Sequence, residues 1–385
     1  MKKYSREKRD RDVWNSFRHR TSQSKKTKRK IKKEAAVNGV SNSRWLDYLI
    51  DKGLNVVKLR NNSLEIFLPE KMNFSDSYDE TILYINALRR LAKNSNRRNG
   101  GYQIRHVHFN NLKQISTSAA LVLTAELSLW QDQLPINLTP NIATWHPDIL
   151  SRFSELGFFD LFKSHQNDPA HDSSRDSNVR LVRYIKGSCH NKDHGLRQKV
   201  LAIVGKEKIK KWPILSGGLD EAITNVGHHA YPEDYEINVR DKNWYLTGAF
   251  REDTQEMKIV FYDQGIGIPK SLPSSKHWER LTEFLSNLGL GIGANIGNRL
   301  HHANLIKGAM EISRTSTGQG DRGKGLQDLL NFIRERGQGY LSVISGHGLY
   351  KFEIANDRER SKTEHFSMPV LGTLIIWKVK LGEET

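Results

Sequence analysis

The sequence has little of what a secreted or membrane protein needs. It contains one cysteine, Cys189, which cannot form an internal disulfide, and Cys189, His190 and His194 lack the further ligands of a structural zinc site. No apolar run approaches the roughly 20 residues that span a bilayer, and no apolar stretch follows the charged N-terminus to make a secretory signal. We therefore expect a cytoplasmic protein with no membrane partner.

What the sequence does have is length and positive charge. Its 385 residues, 37% of them hydrophobic, predict two globular domains. The formal net charge is +17, and residues 1–36 alone hold 15 Lys/Arg against 4 Asp/Glu. Such a segment cannot bury enough apolar surface to offset its ordering entropy, so we predict a disordered tail over residues 1–40. Residues 1–36 can bind nucleic acid; a solubilising tail and a contact with an acidic protein are the alternatives.

Predicted strands and helices alternate over residues 41–165. Leu64, Ile66 and Leu68 lie on one face of a predicted strand. The pattern then predicts a helix in YDETILYINALRRLAKN, a strand in IRHVHFNN, a helix in STSAALVLTAELSLWQ, a strand in INLTP, and a helix in HPDILSRFSELGFFDLF that Gly157 ends. This alternation predicts an α/β layer with at least partly parallel strands.

One run in this half resembles a known domain. HVHFNNLKQISTSAALVLTAEL, followed by ILSRFSELGFFDLF, resembles a STAS domain, the fold of anti-sigma-factor antagonists. The resemblance implies a STAS-like α/β layer in which a partner kinase phosphorylates a Ser or Thr at the start of the helix. The matching residues are Ser116, Thr117, Ser118 and Ala119. The Asp and Gly of the family motif are absent here, and helix capping by Ser116 or Thr117 is the other interpretation.

The polar stretch over residues 166–178 predicts a linker before a second domain over residues 179–385. The first motif of this domain is LSGGLDEAITNVGHHAYPE, a predicted helix in which Glu221, Asn225 and His229 recur every four residues. Side chains at that spacing project from one flank of a helix. A glutamate can accept a proton from an attacking water, and an asparagine oxygen can ligate Mg²⁺.

The second motif, MKIVFYDQGIGIP, is a predicted strand that ends at Asp263. An aspartate can accept a hydrogen bond from the adenine amino group, which guanine cannot supply at that position. Gly265 and Gly267 lack a Cβ, so they would let the backbone approach a flat ring closely. An Asx turn at the end of a strand would explain one aspartate and one glycine.

Two further motifs lie nearer the C-terminus. The glycine-rich segment SRTSTGQGDRGKGLQDLLNFI opens onto an amphipathic helix, whose free N–H groups and positive dipole end would favour a phosphate. Its glycines are Gly318, Gly320, Gly323 and Gly325, and its cations are Arg322 and Lys324. A flexible glycine hinge is the other interpretation of this segment. The other motif, LGTLIIWKVKL, is a predicted strand in which Thr373 could reach a base, or a water beside Asp263.

In their order and spacing, the four motifs resemble the N, G1, G2 and terminal-strand boxes of the GHKL (gyrase, heat-shock-90, histidine-kinase, MutL) ATPase family. The resemblance implies a Bergerat-type α/β sandwich, with a mixed sheet covered by helices on one face, that binds ATP and Mg²⁺. It implies these roles: Glu221 as general base, Asn225 as Mg²⁺ ligand, Asp263 as adenine reader, Gly265 and Gly267 as base platform, and Gly323 and Gly325 as phosphate lid. His229 also has a place in the N-box pattern.

Three functions are compatible with these motifs. The first is an ATP-hydrolysing regulatory switch, in which lid closure over the nucleotide changes the contacts of the STAS-like part. The second is a Ser/Thr protein kinase of the anti-sigma type. The third is a nucleic-acid-associated effector, for example in bacterial defence, that uses the basic tail. An unidentified protein partner and a homodimer are left open.

Overall fold

The computed structural model is of the mixed α/β class that the sequence predicts. It describes residues 43–93, 101–133, 142–161, 178–188, 230–232, 242–274, 278–287, 301–315, 325–356 and 358–381. The basic tail over residues 1–40, the predicted strand INLTP, and the predicted linker except for Asn178 lie outside the described residues.

In the first half of the chain, the predicted order of strand, helix, strand and helix is present as β2, α2, β4 and α3, with additional short strands between them. The elements are a helix over residues 43–51 (α1), β1 (Val56–Leu59), β2 (Ser63–Phe67), β3 (Lys71–Met72), α2 (Tyr78–Lys93), β4 (Gln103–His108), β5 (Gln114–Ile115), α3 (Thr117–Gln133), α4 (Pro147–Glu155) and α5 (Phe158–Leu161). The predictions for β2, α2, β4, α3 and α4 are confirmed.

The second half begins with a strand at Val179. Its elements are β6 (Val179–Ser188), β7 (Asn243–Arg251), β8 (Glu256–Asp263), α6 (Ile268–Ser271), α7 (Trp278–Asn287), α8 (His302–Thr315), α9 (Gly325–Arg336), β9 (Gly339–Ala355) and β10 (Arg358–Lys380). The predicted strand that ends at Asp263, the helix after the glycine-rich segment and the late strand are confirmed.

The described residues fall into two compact units. The smaller draws on residues 1–67 and 89–108, and the larger on residues 68–88 and 109–385. In the smaller unit, β2 pairs with β1 antiparallel and with β4 parallel. In the larger unit, β3 pairs with β5 parallel. These two parallel pairs confirm that the strands in the first half of the chain are at least partly parallel. The predicted domain ranges 41–165 and 179–385 stay a prediction.

A five-stranded sheet in the larger unit has the order β6-β7-β8-β10-β9. Every described pair in this sheet is antiparallel, which differs from the mixed sheet that we expected. For two of the four pairs the reason is local, because short turns connect β7 to β8 and β9 to β10, and a short turn returns the chain antiparallel to itself.

Helices pack on both faces of this sheet, whereas we expected them on one face. Met257, Ile259 and Phe261 of β8 share a hydrophobic core with α8 and α9 residues such as Met310. Tyr262 points to the other face, because successive strand residues alternate between faces. It is there that α3 packs against β7 and β8. The structural reason lies in α3, in which every residue from Ser118 to Leu129 is buried and so needs cover on all sides.

Two predicted helix boundaries are explained by local geometry. The Ser116 hydroxyl accepts a hydrogen bond from Ala119 N at 3.2 Å, so the capping interpretation of Ser116 is confirmed. Gly157 follows α4 with a φ of 76°, a left-handed conformation that ends a helix readily only at glycine. Among the described helices, none is both long and apolar enough to cross a membrane.

Candidate functional site

The candidate site is centred on Asp263, the last residue of β8. Asp263 is in register with Trp244 of β7 and with Thr373 of β10, so strands flank it on both sides. The residue is only 4% exposed, and its Oδ1 accepts a hydrogen bond from Gly265 N at 2.8 Å. This Asx turn fixes the orientation of the carboxylate at the point where the chain leaves the sheet.

The two glycines after Asp263 allow close packing of the protein's own backbone. A Cβ on Gly265 would lie 2.5 Å from Ala230 Cβ, and Ile266 N donates to Ala230 O at 2.8 Å. A Cβ on Gly267 would lie 2.6 Å from Ser345 Oγ. The protein therefore needs both glycines even without a ligand, and their predicted role as a base platform stays a prediction. Ala230 belongs to the sequence motif LSGGLDEAITNVGHHAYPE, so the end of that motif lies beside this loop.

Two hydroxyl groups connect the loop to the neighbouring strands. Ser345 of β9 is completely buried; its Oγ accepts from Ile268 N at 2.9 Å and donates to Gly372 O at 2.9 Å. Thr373 Oγ1 lies 3.3 Å from Ser345 Oγ and is 6% exposed. The structure thus brings Asp263 and Thr373 together as predicted, and it adds Ser345, which sequence reasoning did not identify.

Gly372 provides a test of how tightly this end of the sheet is packed. Its φ is 101°, and a Cβ at this position would collide with the carbonyl oxygen of Asp263. We expect Gly372→Ala to lower the free energy of unfolding by about 2 kcal/mol, because a non-glycine residue at such a φ is strained and β10 would have to move away from β8. Thermal and urea unfolding would measure this. Gly53, which also has a positive φ but no atom within 4 Å of its would-be Cβ, is the control: Gly53→Ala should cost less.

A buried hydrogen-bond network links the site to α3. Glu126 of α3 is 1% exposed, and its Oε1 accepts from Gln264 Nε2 at 3.1 Å. The Tyr262 hydroxyl lies 2.9 Å from the same oxygen and 2.8 Å from Leu371 O, and it can donate its one proton to either. Tyr262 and Gln264 directly flank Asp263. Helix α3 therefore holds both neighbours of the candidate adenine reader.

Glu126 was missed at the sequence level, although the sequence carries a signal for it. It is the one ionisable residue between positions 117 and 131, in a stretch of α3 that is otherwise uncharged and mostly apolar. Buried carboxylates are rare unless they are paired or hydrogen-bonded. A lone glutamate in such a helix therefore indicates a specific polar partner elsewhere in the fold.

Helix α2 makes a second attachment, to the segment of β10 just before the site. Tyr78 Oη donates to Met368 O at 3.0 Å, and its ring stacks on Phe366 with centroids 3.6 Å apart. Burial, together with the charge of Asp79, raises the pKa of Tyr78 well above its usual range, so the hydroxyl is a neutral donor. Asn86 Nδ2 donates to Pro369 O at 3.0 Å.

The other predicted site residues are mostly outside the described part of the chain. These are Glu221, Asn225, His229, Gly318, Gly320, Arg322, Gly323 and Lys324. Gly325 is described and is the first residue of α9, which packs on β9 and β10. Within the described ranges, no group of three or more His, Cys, Asp or Glu side chains could hold a metal ion. The predicted Mg²⁺ ligand, Asn225, is not among those ranges.

A pocket of about 210 Å³ lies elsewhere in the larger unit, between α8, α9 and the hairpin of β9 and β10. The guanidinium of Arg334 lies over the Phe352 ring there, and Arg334 Nε donates to Glu359 Oε1 at 3.0 Å. The described residues of the predicted ATP site do not line this pocket. It therefore gives no support to a nucleotide site.

Comparison with known proteins does not assign the chain to a family. No protein-family model matches the chain, and no curated protein matches its sequence.

Proposed function

We propose that this chain binds ATP and Mg²⁺ at the carboxyl end of β8, and that nucleotide binding and hydrolysis drive a regulatory switch in the helices α2 and α3. The observation that carries the proposal is the Asp263 site itself. A buried carboxylate, oriented by Gly265 and flanked by the hydroxyl of Thr373, lies where a strand ends.

The adenine end of the proposed site rests on Asp263. A carboxylate has about four lone-pair positions, so the bond from Gly265 N is compatible with a further donor such as the adenine amino group. Thr373, directly opposite Asp263 on β10, can donate to a ring nitrogen or to a bridging water. Guanine presents an acceptor where adenine presents its amino group, and two acceptors repel. The proposal therefore includes selectivity for ATP over GTP.

The phosphate end rests on the sequence motifs. Residues 318–324 lead directly into α9, whose N-terminal N–H groups and dipole favour bound phosphate, with Arg322 and Lys324 adding positive charge. Asn225 would ligate the Mg²⁺ that neutralises the phosphates. Glu221 would accept a proton from water as the water attacks the γ-phosphorus and the bond to ADP breaks, which releases ADP and inorganic phosphate.

The coupling part of the proposal is supported by the attachments of α2 and α3. Gln264 and Tyr262, on either side of Asp263, are bonded to Glu126 of α3. A nucleotide that shifts the Asp263 loop must therefore strain or move these bonds. A ligand can bias a conformational equilibrium only through such differential contacts. The network provides a physical route from the nucleotide to the helices of the first half.

The kinase alternative has less support. Ser116 already caps α3, and its Oγ lies 3.2 Å from Ser118 Oγ. Ser118 is 4% exposed, so a phosphoryl donor would need α3 to open before it could reach that hydroxyl, whereas Thr117, the other predicted acceptor, is only half-buried.

The division of roles on the N-box motif can be tested with two substitutions. We expect Glu221→Ala to retain ATP binding but lose turnover, and Asn225→Ala to lose the Mg²⁺-dependent part of ATP binding. Calorimetry with and without Mg²⁺, together with a phosphate-release assay, measures both. Glu364→Ala is the matched control, because it removes a glutamate nine residues before Thr373 on the same strand. Unchanged hydrolysis in the Glu221 variant would contradict its assignment as the general base.

A further inference from the structure

In the described part of the smaller unit, one face of the sheet is left open, and the ATP proposal does not use it. The pairing of β1, β2 and β4 places Val57, Glu65 and His106 side by side, and Phe67 beside His108. Paired residues on neighbouring strands share a face. Val57 is 45% exposed, and none of these five residues is buried. We call these five residues the open face.

Flat rings dominate the open face. The rings of Phe67 and His108 are stacked, with centroids 4.3 Å apart and an interplanar angle of 10°. The His106 ring lies 5.9 Å from that of His108, and His106 is exposed. Aromatic rings on a sheet surface are the usual platform on which single-stranded nucleic acids stack their bases.

The described part of the unit that carries this platform has a net positive charge. Arg105 is exposed and lies at the irregularity between β2 and β4, next to His106. The described residues of this unit, 43–67, 89–93 and 101–108, contain 8 Lys/Arg and 3 Asp/Glu, which is a net charge of +5. The one acidic residue of the open face, Glu65, has its carboxylate 3.3 Å from His108 Nε2. The described part of this unit is therefore suited to an anionic partner.

We propose that the open face binds single-stranded nucleic acid, with bases stacked on Phe67 and His106 and with phosphates contacting Arg105 and the basic residues around it. A duplex hides the faces of its bases, so it cannot use the rings. An acidic protein or an anionic membrane would use the charge but gain little from flat, stacked rings. This inference is independent of the ATP site.

The test uses the full-length protein and a fluorescently labelled, mixed-sequence single-stranded DNA of about 20 nucleotides, a length that covers one or more single-strand binding sites. We expect His106→Ala and Phe67→Leu each to weaken binding about fivefold or more, because each removes a stacking ring. The matched control is Tyr48→Leu, which removes an exposed ring from α1 and should leave the affinity within about twofold.

The charge part is read from a salt series. Arg105→Gln should reduce the salt dependence of log Kd by about 0.7, the contribution of one phosphate contact on a single strand. The control is Lys52→Gln, which removes a charge next to α1 and should reduce the salt dependence of log Kd less.

The same titrations with a duplex of equal length and with anionic vesicles separate the possible partners. Weaker duplex binding that is insensitive to His106→Ala supports the proposal. The proposal would be overturned if the Tyr48 and His106 variants lost affinity for the single strand equally, or if vesicle binding depended on His106. Because His106 is exposed, its variant should fold normally, so a loss of binding there is not a loss of structure.

Discussion

Asp263→Asn is expected to weaken ATP binding by about tenfold or more, because a hydrogen bond to a charged group is worth about 1.5–3 kcal/mol and each 1.4 kcal/mol is a factor of ten. The substitution is chosen to preserve the fold. An asparagine retains the Oδ1 acceptor, so the bond from Gly265 N can persist. What it loses is the charge and one acceptor, which an NH₂ donor replaces. That donor would face the adenine amino group, and two donors repel.

The same reasoning predicts a change in selectivity. The wild type should prefer ATP over GTP, and the preference should narrow in Asp263→Asn because an amide donor can pair with the guanine carbonyl. Isothermal calorimetry with both nucleotides measures this. Asp253→Asn is the matched control, because Asp253 also accepts a backbone N–H, from Thr254 at 2.9 Å, in the turn at the opposite end of β8. Equal affinity of the wild type for ATP and GTP would rule out Asp263 as the adenine reader.

Local elements of the fold could be predicted because their signals are local. The alternation of Leu64 and Ile66 indicated β2, and the spacing in residues 78–94 indicated α2. The cap by Ser116 could likewise be read from a single residue. The strands β7 and β9 were not predicted. They are buried on both sides along most of their length, so their sequences show little of the alternation that marks a half-buried strand.

The assembly of the elements depends on contacts distant in sequence. Nothing in the motif around Asp263 indicates that α3, more than 130 positions earlier, covers the back of its strand. The pattern of α3 shows that it must be buried, but not against which surface. Similarly, Ser345 joins the Asp263 loop to Gly372 only because β9 and β10 form a hairpin. The residue types of a site can be predicted from motifs, whereas the residues that position them become evident only from the fold.

Removing the Glu126 carboxylate should have the largest effect on stability. Glu126→Ala takes away the shared acceptor of Gln264 Nε2 and the Tyr262 hydroxyl in a fully buried environment. Each donor retains one carbonyl, Ala125 O at 3.2 Å and Leu371 O at 2.8 Å, so neither is fully orphaned. The lost hydrogen bonds and the cavity that remains should together lower the free energy of unfolding by about 3 kcal/mol. Glu126→Gln keeps an oxygen acceptor and should cost less, about 1 kcal/mol.

The functional consequence distinguishes coupling from simple destabilisation. If α3 positions the Asp263 loop, Glu126→Ala should also weaken ATP binding at a temperature where the variant is fully folded, and Glu126→Gln should restore most of it. Ser128→Ala is the control, because Ser128 is buried two residues further along α3 but accepts its hydrogen bond from Lys186 of β6 at 3.0 Å, away from the loop. It should lower stability without changing the affinity for ATP.

Coupling between two sites is reciprocal, so the effect must also be visible from the helix. ATP should slow amide hydrogen exchange in α3 of the wild type and of Ser128→Ala, but not in Glu126→Ala at a nucleotide concentration that saturates each protein. Amide exchange in α3 measures how often that helix opens. A general loss of stability would raise the exchange rate both with and without ATP, whereas loss of coupling would remove only the difference that ATP makes. Protection of α3 by ATP in the Glu126→Ala variant would show that the signal does not pass through this carboxylate. Absence of ATP binding in the wild type would instead refute the nucleotide proposal and leave Glu126 a structural residue.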